Sequence, residues 1–130
     1  MEYDKNNIFA RILRKELPAD IVYEDDYALA FHDIAPKAPI HILVIPKNEY
    51  VSFFDFSEKA TPAETVGFTK AIHNVIVSLN LKDKGFWILS SHGAEGGQVI
   101  FHYHVHIFSG RRPCELASPH SWRSSLKNTN

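Results

Sequence analysis

The chain has one cysteine, Cys114, which excludes an internal disulfide and any Cys-x-x-Cys metal motif. It also lacks any apolar run near the roughly 20 residues of a membrane helix. No apolar signal core opens it; Glu2, Asp4, Lys5, Arg11, Arg14, Lys15 and Glu16 stud the beginning instead. Neither secretion nor membrane association is expected, and a reduced, cytoplasmic setting is the plain reading. Charge of one sign is missing too: the net charge is −1. No global basic field is available to hold a nucleic acid polymer, although a small phosphate ligand needs only local donors. Internal repeats and low-complexity segments are absent. What remains is 130 residues, 45% apolar and 22% charged, in the ordinary range for one soluble domain with a real core.

Local signals divide this chain into short elements. Asn6 or Asn7 can cap a helix in which Ile8, Phe9, Ile12 and Leu13 repeat at helical spacing until Pro18. Ile21 to Glu24 and Tyr27 to Asp33 read as a hairpin turning at Asp25-Asp26. Ile34 to Pro39 holds two prolines and reads as a loop. Ile40 to Ile45, apolar except at His41, predicts a central strand covered on both faces. Glu49 to Phe56 reads as a loop with a turn. Thr61-Pro62-Ala63-Glu64 combines a capping threonine, proline at the first helical position and a glutamate that closes a capping box. The apolar stripe beyond it predicts a long helix over Pro62 to Asn80. Gly85 to Ser90 reads as a fourth strand, and His92 to Gly97 as a loop with three glycines. The sum is one long helix, one short helix and a five-stranded antiparallel sheet, an α+β fold.

The segment from Gln98 to Phe108 stands apart. It reads Gln-Val-Ile-Phe-His-Tyr-His-Val-His-Ile-Phe, with His102, His104 and His106 at every second position. A strand sends alternate side chains to opposite faces, so one face would be apolar and the other a row of imidazoles. A lone histidine is most often a hydrogen-bonded structural residue, which is the reading given to His32, His73, His92 and His120. Three in phase would need three separate polar solutions if buried, which points to function instead.

Two chemistries use such a row. Zinc needs nitrogens at about 2.0–2.1 Å in a tetrahedron, whereas the outer two histidines of a strand lie roughly 13–14 Å apart. Two neighbours can converge on an ion, three only with difficulty, and His41 could be a further ligand from another strand, so a metal is not excluded. Phosphoryl transfer fits better. Near neutral pH one imidazole can attack phosphorus while a protonated neighbour donates to oxygen or to the leaving group. The approach loop, Gly93-Ala94-Glu95-Gly96-Gly97, lets backbone amides come close to a phosphate.

His102-Tyr103-His104-Val105-His106-Ile107-Phe108 resembles the signature of the histidine-triad (HIT) nucleotide-binding family. The resemblance runs from Asn7-Ile8-Phe9 to Gly110. It includes Phe31-His32-Asp33-Ile34, Ala38-Pro39-Ile40-His41, Leu43-Val44-Ile45-Pro46-Lys47 and Gly96-Gly97-Gln98. These segments look like the branch of purine-nucleoside phosphoramidases, also called protein-kinase-C-inhibitor-like proteins. The resemblance implies a HIT-like homodimer, a domain over residues 1–110 and a partly ordered tail over 111–130. It implies hydrolysis of nucleoside 5′-phosphoramidates, such as AMP-amines and AMP-lysine, through a nucleotidyl-histidine, with no metal and no cofactor. His104 matches the nucleophile, His106 the residue at the phosphate and leaving group, and His102 and His41 supporting histidines. Ile8, Phe9, Phe31 and Ile34 match the walls around a purine of AMP or GMP type, with His32 beside them, and Asp33 matches the acceptor for the ribose hydroxyls. Ser91, Gly97, Gln98 and Val99 fall at nucleotide-binding positions. Ser91 replaces a usual asparagine and Val99 a usual serine or threonine, which bears on leaving-group preference and rate. Trp122 falls in the unmatched tail, where C-terminal residues of some relatives pack across the dimer near the site. Alternative functions are dinucleoside-polyphosphate hydrolysis, and a nucleotide- or partner-binding module with negligible catalysis.

Overall fold

A computed structural model describes residues 2–115; Trp122, His120 and most of the tail lie outside the described residues. Asn7 opens helix α1 (Ile8–Leu13) by accepting a hydrogen bond from the Ala10 amide. A hairpin follows, β1 (Ile21–Glu24) and β2 (Ala28–His32). Its turn is held by Asp25, whose Oδ1 accepts from the amides of Tyr27 and Ala28, the local carboxylate device that favours Asp at such corners. Strand β3 (Ile40–Pro46) runs through the middle. Helices α2 (Phe53–Lys59), α3 (Pro62–Ser78) and α4 (Leu81–Lys84) intervene before β4 (Trp87–Leu89) and β5 (Val105–Ser109). The five strands form one antiparallel sheet in the order β1-β2-β3-β5-β4. No described helix is long and apolar enough to cross a membrane.

The α+β architecture and the five-stranded sheet are as expected, and β3 is covered on both faces. Three local readings differ. The Glu49 to Phe56 loop gives way to α2 at Phe53, a second short helix, and α4 is a third. The long helix stops at Ser78, because Asn80 takes a left-handed backbone with φ of 57°. The histidine strand is shorter than its pattern implies: only Val105–Ser109 is ladder, and His102 and His104 sit in an irregular extended approach to it.

Alternation along the strands divides the core into two layers. Ala28, Ala30, Ile42, Val44, Val105 and Ile107 point to one side and pack against Phe68, Ala71 and Val75 of α3. The two alanines of β2 let that helix lie close. Leu29, Phe31, Leu43 and Ile45 point the other way, where Phe9 of α1 covers them. His106 and Phe108 alternate with Val105 and Ile107, so they join this second face. Cross-strand register then sets Leu43 and Leu89 beside His106, and His41 and Trp87 beside Phe108. The histidines therefore lie on the face that α3 leaves open.

Candidate active site

Each imidazole has a fixed hydrogen-bond pattern, and the fixed donors and acceptors decide where its proton sits. His104 Nδ1 lies 2.7 Å from its neighbour's carbonyl, His102 O. A carbonyl only accepts, so Nδ1 carries the hydrogen and Nε2 keeps its lone pair. Phe9 packs edge-on to the ring with centroids 4.9 Å apart. Burial holds His104 below the usual histidine range, opposed by the bond to the carbonyl. The ring is neutral, with its bare Nε2 on the side opposite its bond to the His102 carbonyl.

His41 and His106 form a directed pair. The Lys37 amide donates to His41 Nδ1 at 3.2 Å, so His41 carries its hydrogen on Nε2. That nitrogen lies 2.9 Å from His106 Nδ1 and 3.5 Å from Asp33 Oδ2. His106 Nδ1 is then the acceptor, and its own hydrogen is on Nε2. Burial, followed by the neighbouring His104 and His41 rings, pushes His106 down to about 4. Burial lowers His41 also, against the pull of Asp33. Phe108 lies parallel to His106, 5.6 Å away with 6° between the planes. At neutral pH the site therefore places a bare Nε2 on His104 beside a hydrogen-bearing Nε2 on His106.

His102 has a different place. It is fully buried, donates from Nε2 to the Pro46 carbonyl at 2.9 Å and meets the Tyr3 hydroxyl at Nδ1. Burial pushes it down to about 4. The picture of three rings on one exposed strand face therefore needs correction: His102 does not line the cavity. Each ring nevertheless has its own polar partner, with His102 and His104 buried and His106 half-buried.

The cavity over this face has a volume of about 520 Å³. Its wall includes His41, His104 and His106 together with Ile8, Phe9, Phe31, His32, Asp33 and Ile34. Ser91, Gly97, Gln98 and Val99 line it as well. Ile34 and Val99 are open side chains, 98% and 83% exposed. Gln98 lines the cavity by its surface while its amide is committed elsewhere. It accepts from the Gly93 amide and donates to the carbonyls of Val51 and Ile100. This braces the loop, whose Gly93 and Gly97 take φ of 73° and 83°, a region glycine enters without strain. Asp33 has one oxygen occupied by the Ala35 amide.

Further contributors have no motif to announce them. Lys37 acts through its backbone amide, which carries no side-chain signal. Ser90 holds the His104 carbonyl from below, Oγ to O at 2.8 Å. Leu89 and Phe108 line the cavity because register sets them against the histidines, and register is invisible in a single segment.

Asp33, His41 and His106 each offer a ligand atom, all within 4.8 Å of one another. The hydrogen-bond directions argue against their use as a metal set. A ligating histidine donates its second N–H outward to an acceptor, whereas His41 accepts at Nδ1 and bears its hydrogen on the nitrogen that would ligate. Binding would cost the Lys37 bond.

Comparison with known proteins agrees with this geometry. The HIT domain profile matches residues 14–113. An uncharacterized 13.2 kDa HIT-like protein of Azospirillum brasilense is 51% identical over 110 residues, spanning 85% of this chain and 90% of that protein. The structure of a histidine triad protein from Clostridium difficile matches with a TM-score of 0.76 at 37% identity, over 86% of this chain and 96% of that one. A HIT family hydrolase from Clostridium thermocellum matches with a TM-score of 0.73 at 31% identity, over 85% and 95% of the two chains. With His102, His104 and His106 within the matched region, this chain belongs to the HIT domain family.

Proposed function

We propose that this protein hydrolyses nucleoside 5′-phosphoramidates, releasing a purine nucleoside monophosphate and an amine through a nucleotidyl-His104 intermediate. The observation that carries the reading is the bond from His104 Nδ1 to His102 O, 2.7 Å, which leaves Nε2 free to attack. The base would lie among Ile8, Phe9, Phe31 and Ile34, and Asp33 would accept from the ribose hydroxyls.

The chemistry follows from the proton positions. A bound phosphate anion favours the charged form of His106, which is otherwise neutral. In that form His106 Nδ1–H donates to His41 Nε2, and His41 moves its own hydrogen to Nδ1, giving up the Lys37 amide. His104 Nε2 attacks the α-phosphorus, and a nitrogen–phosphorus bond forms as the bond to the amine breaks. The electron pair leaves on the amine nitrogen, which takes the Nε2 proton of His106. The new cation on His104 is stabilised by the His102 carbonyl at Nδ1. Water then attacks phosphorus and passes a proton to His106. The histidine–phosphorus bond breaks, its electrons return to His104, and the monophosphate departs. One difficult displacement becomes two easier ones.

His104→Ala should lose at least about 10³-fold in kcat on an AMP-amine, because the nucleophile itself is gone, while AMP binding by calorimetry persists. Mass spectrometry of quenched wild-type reactions should detect the adenylyl adduct. Undiminished turnover in the variant would sink the mechanism. Diadenosine polyphosphate assayed on the same preparation distinguishes the neighbouring hydrolytic reading.

The protein is also proposed to act as a homodimer. Supporting this, β4 pairs only with β5 among the described residues and leaves Ile88 exposed at the sheet edge, with Phe86 exposed just before it.

A further inference from the structure

The nucleophile is oriented by a carbonyl that the sheet does not hold. His102 O accepts from His104 Nδ1, yet the ladder of β5 begins only at Val105. The peptide unit that carries it is held on one side by the Tyr103 amide, which donates to Tyr50 O at 2.7 Å, and on the other by the His102 side chain, buried and clamped at both nitrogens. One clamp is the Pro46 carbonyl on β3, which forces the hydrogen onto Nε2. The opposite nitrogen, Nδ1, is then a bare acceptor in a fully buried ring, a costly state without a donor.

The donor comes from the start of the chain. The Tyr3 hydroxyl lies 2.5 Å from His102 Nδ1, and the two rings meet edge-on with centroids 5.5 Å apart. Tyr3 is held by a compact turn. Asn7 donates from its backbone and side-chain amides to Asp4 O, and the Asn6 amide donates to Asp4 Oδ1. Arg14 reaches back from the end of α1 to Lys5 O at 2.8 Å. Asn7 is itself the cap of α1, whose Phe9 packs on His104. One short segment thus secures both the wall behind the nucleophile and the ring that aims it.

We infer that Tyr3 is a positioning residue for His104, acting through His102: its hydroxyl locks the His102 ring so that the His102 carbonyl holds the nucleophile's Nδ1 hydrogen. The role rests on His104 being the nucleophile. Tyr3 does not line the cavity, so it works on the attack and leaves nucleotide binding alone.

Tyr3→Phe keeps the ring and removes only the hydroxyl. On an AMP-amine its kcat should fall about tenfold, the lower end of what losing an orienting partner costs, with KM and AMP affinity unchanged. In 15N-edited histidine spectra, the His102 Nδ1 resonance should shift as its hydrogen bond is lost. A kcat equal to wild type overturns the inference, as does a loss carried by KM with the His102 signals unmoved. Should Tyr3→Phe not fold, the wild-type spectrum decides: a protonated His102 Nδ1 is incompatible with this arrangement. His104→Ala run alongside separates the two ideas. If it is inactive while Tyr3→Phe is normal, only the positioning role falls. If His104→Ala turns over, the nucleophile assignment falls, and the His102 spectrum still reports the Tyr3 bond.

Discussion

At the scale of single residues, the site consists of rings kept uncharged. His102 and His106 are both pushed to about 4 from an ordinary 6.5, and burial is the leading cause in each. The sign of the linkage follows directly. Above about pH 6.5 these groups are neutral in both folded and unfolded chains. As pH falls below that value, the unfolded chain takes up protons that the folded chain refuses, and stability drops until the folded pKa is passed. For fully buried His102 alone the limiting loss is on the order of 3 kcal/mol. Urea unfolding should give a stability that is level above pH 6.5 and declines steadily toward pH 4. A stability that rises over that interval would contradict the neutral assignment. Much of this was legible in the sequence as residue type, since the His-x-His-x-His run singles out these rings without any coordinates. The unequal roles came only through the family resemblance, because a histidine's proton positions depend on which carbonyl or amide faces it. Residue type alone does not set His102 apart from its neighbours until Pro46 and Tyr3 are placed beside it.

At the scale of elements, the β1–β2 hairpin and β3 form where their apolar runs and the Asp25-Asp26 turn set them, and α3 follows its cap. Thr61 Oγ1 accepts from the Glu64 amide while Glu64 Oε1 accepts from Thr61, as the motif demands. Helix α2 defeats the same reasoning because Phe53 and Phe54 lie exposed beside buried Phe56, which erases the apolar period. It is held instead by Asp55, which accepts from the Val51 amide and pairs with Lys59 at 2.9 Å. Phe56 anchors it to Phe68 and Tyr103. The histidine segment was overread as strand for a related reason. Its β-propensity is real, but the Tyr103 amide pairs with Tyr50 O, outside the ladder. Gly67 shows how tightly α3 is seated: a methyl there would overlap the root of the Tyr27 ring, Cγ and Cδ2. Alanine gains about 1 kcal/mol in helix propensity, against an overpacking cost of about 1–3 kcal/mol. Gly67→Ala should therefore lower stability by about 1 kcal/mol net, measured by chemical denaturation. A stabilised variant would show that Tyr27 swings aside freely.

For the whole molecule, the open question of assembly centres on β4. It is three residues long, lies at the sheet edge and keeps Ile88 54% exposed. An uncovered apolar edge invites pairing with a second copy. Ile88→Lys should shift the sedimentation mass from dimer to monomer at micromolar concentration; a wild-type monomer would remove the dimer proposal outright. The same edge is linked to the cavity by stacked rings. Trp87 stacks on Phe108 at 4.3 Å with 22° between planes, and Phe108 stacks in turn on His106. The Trp87 indole N–H is satisfied by Arg111 O, so its ring is held in register with that column. The column gives the molecule a built-in optical readout. An excited indole at the edge lies one ring away from His106, so a ligand that changes the charge on that histidine should change the Trp87 emission, which a fluorescence titration with AMP checks.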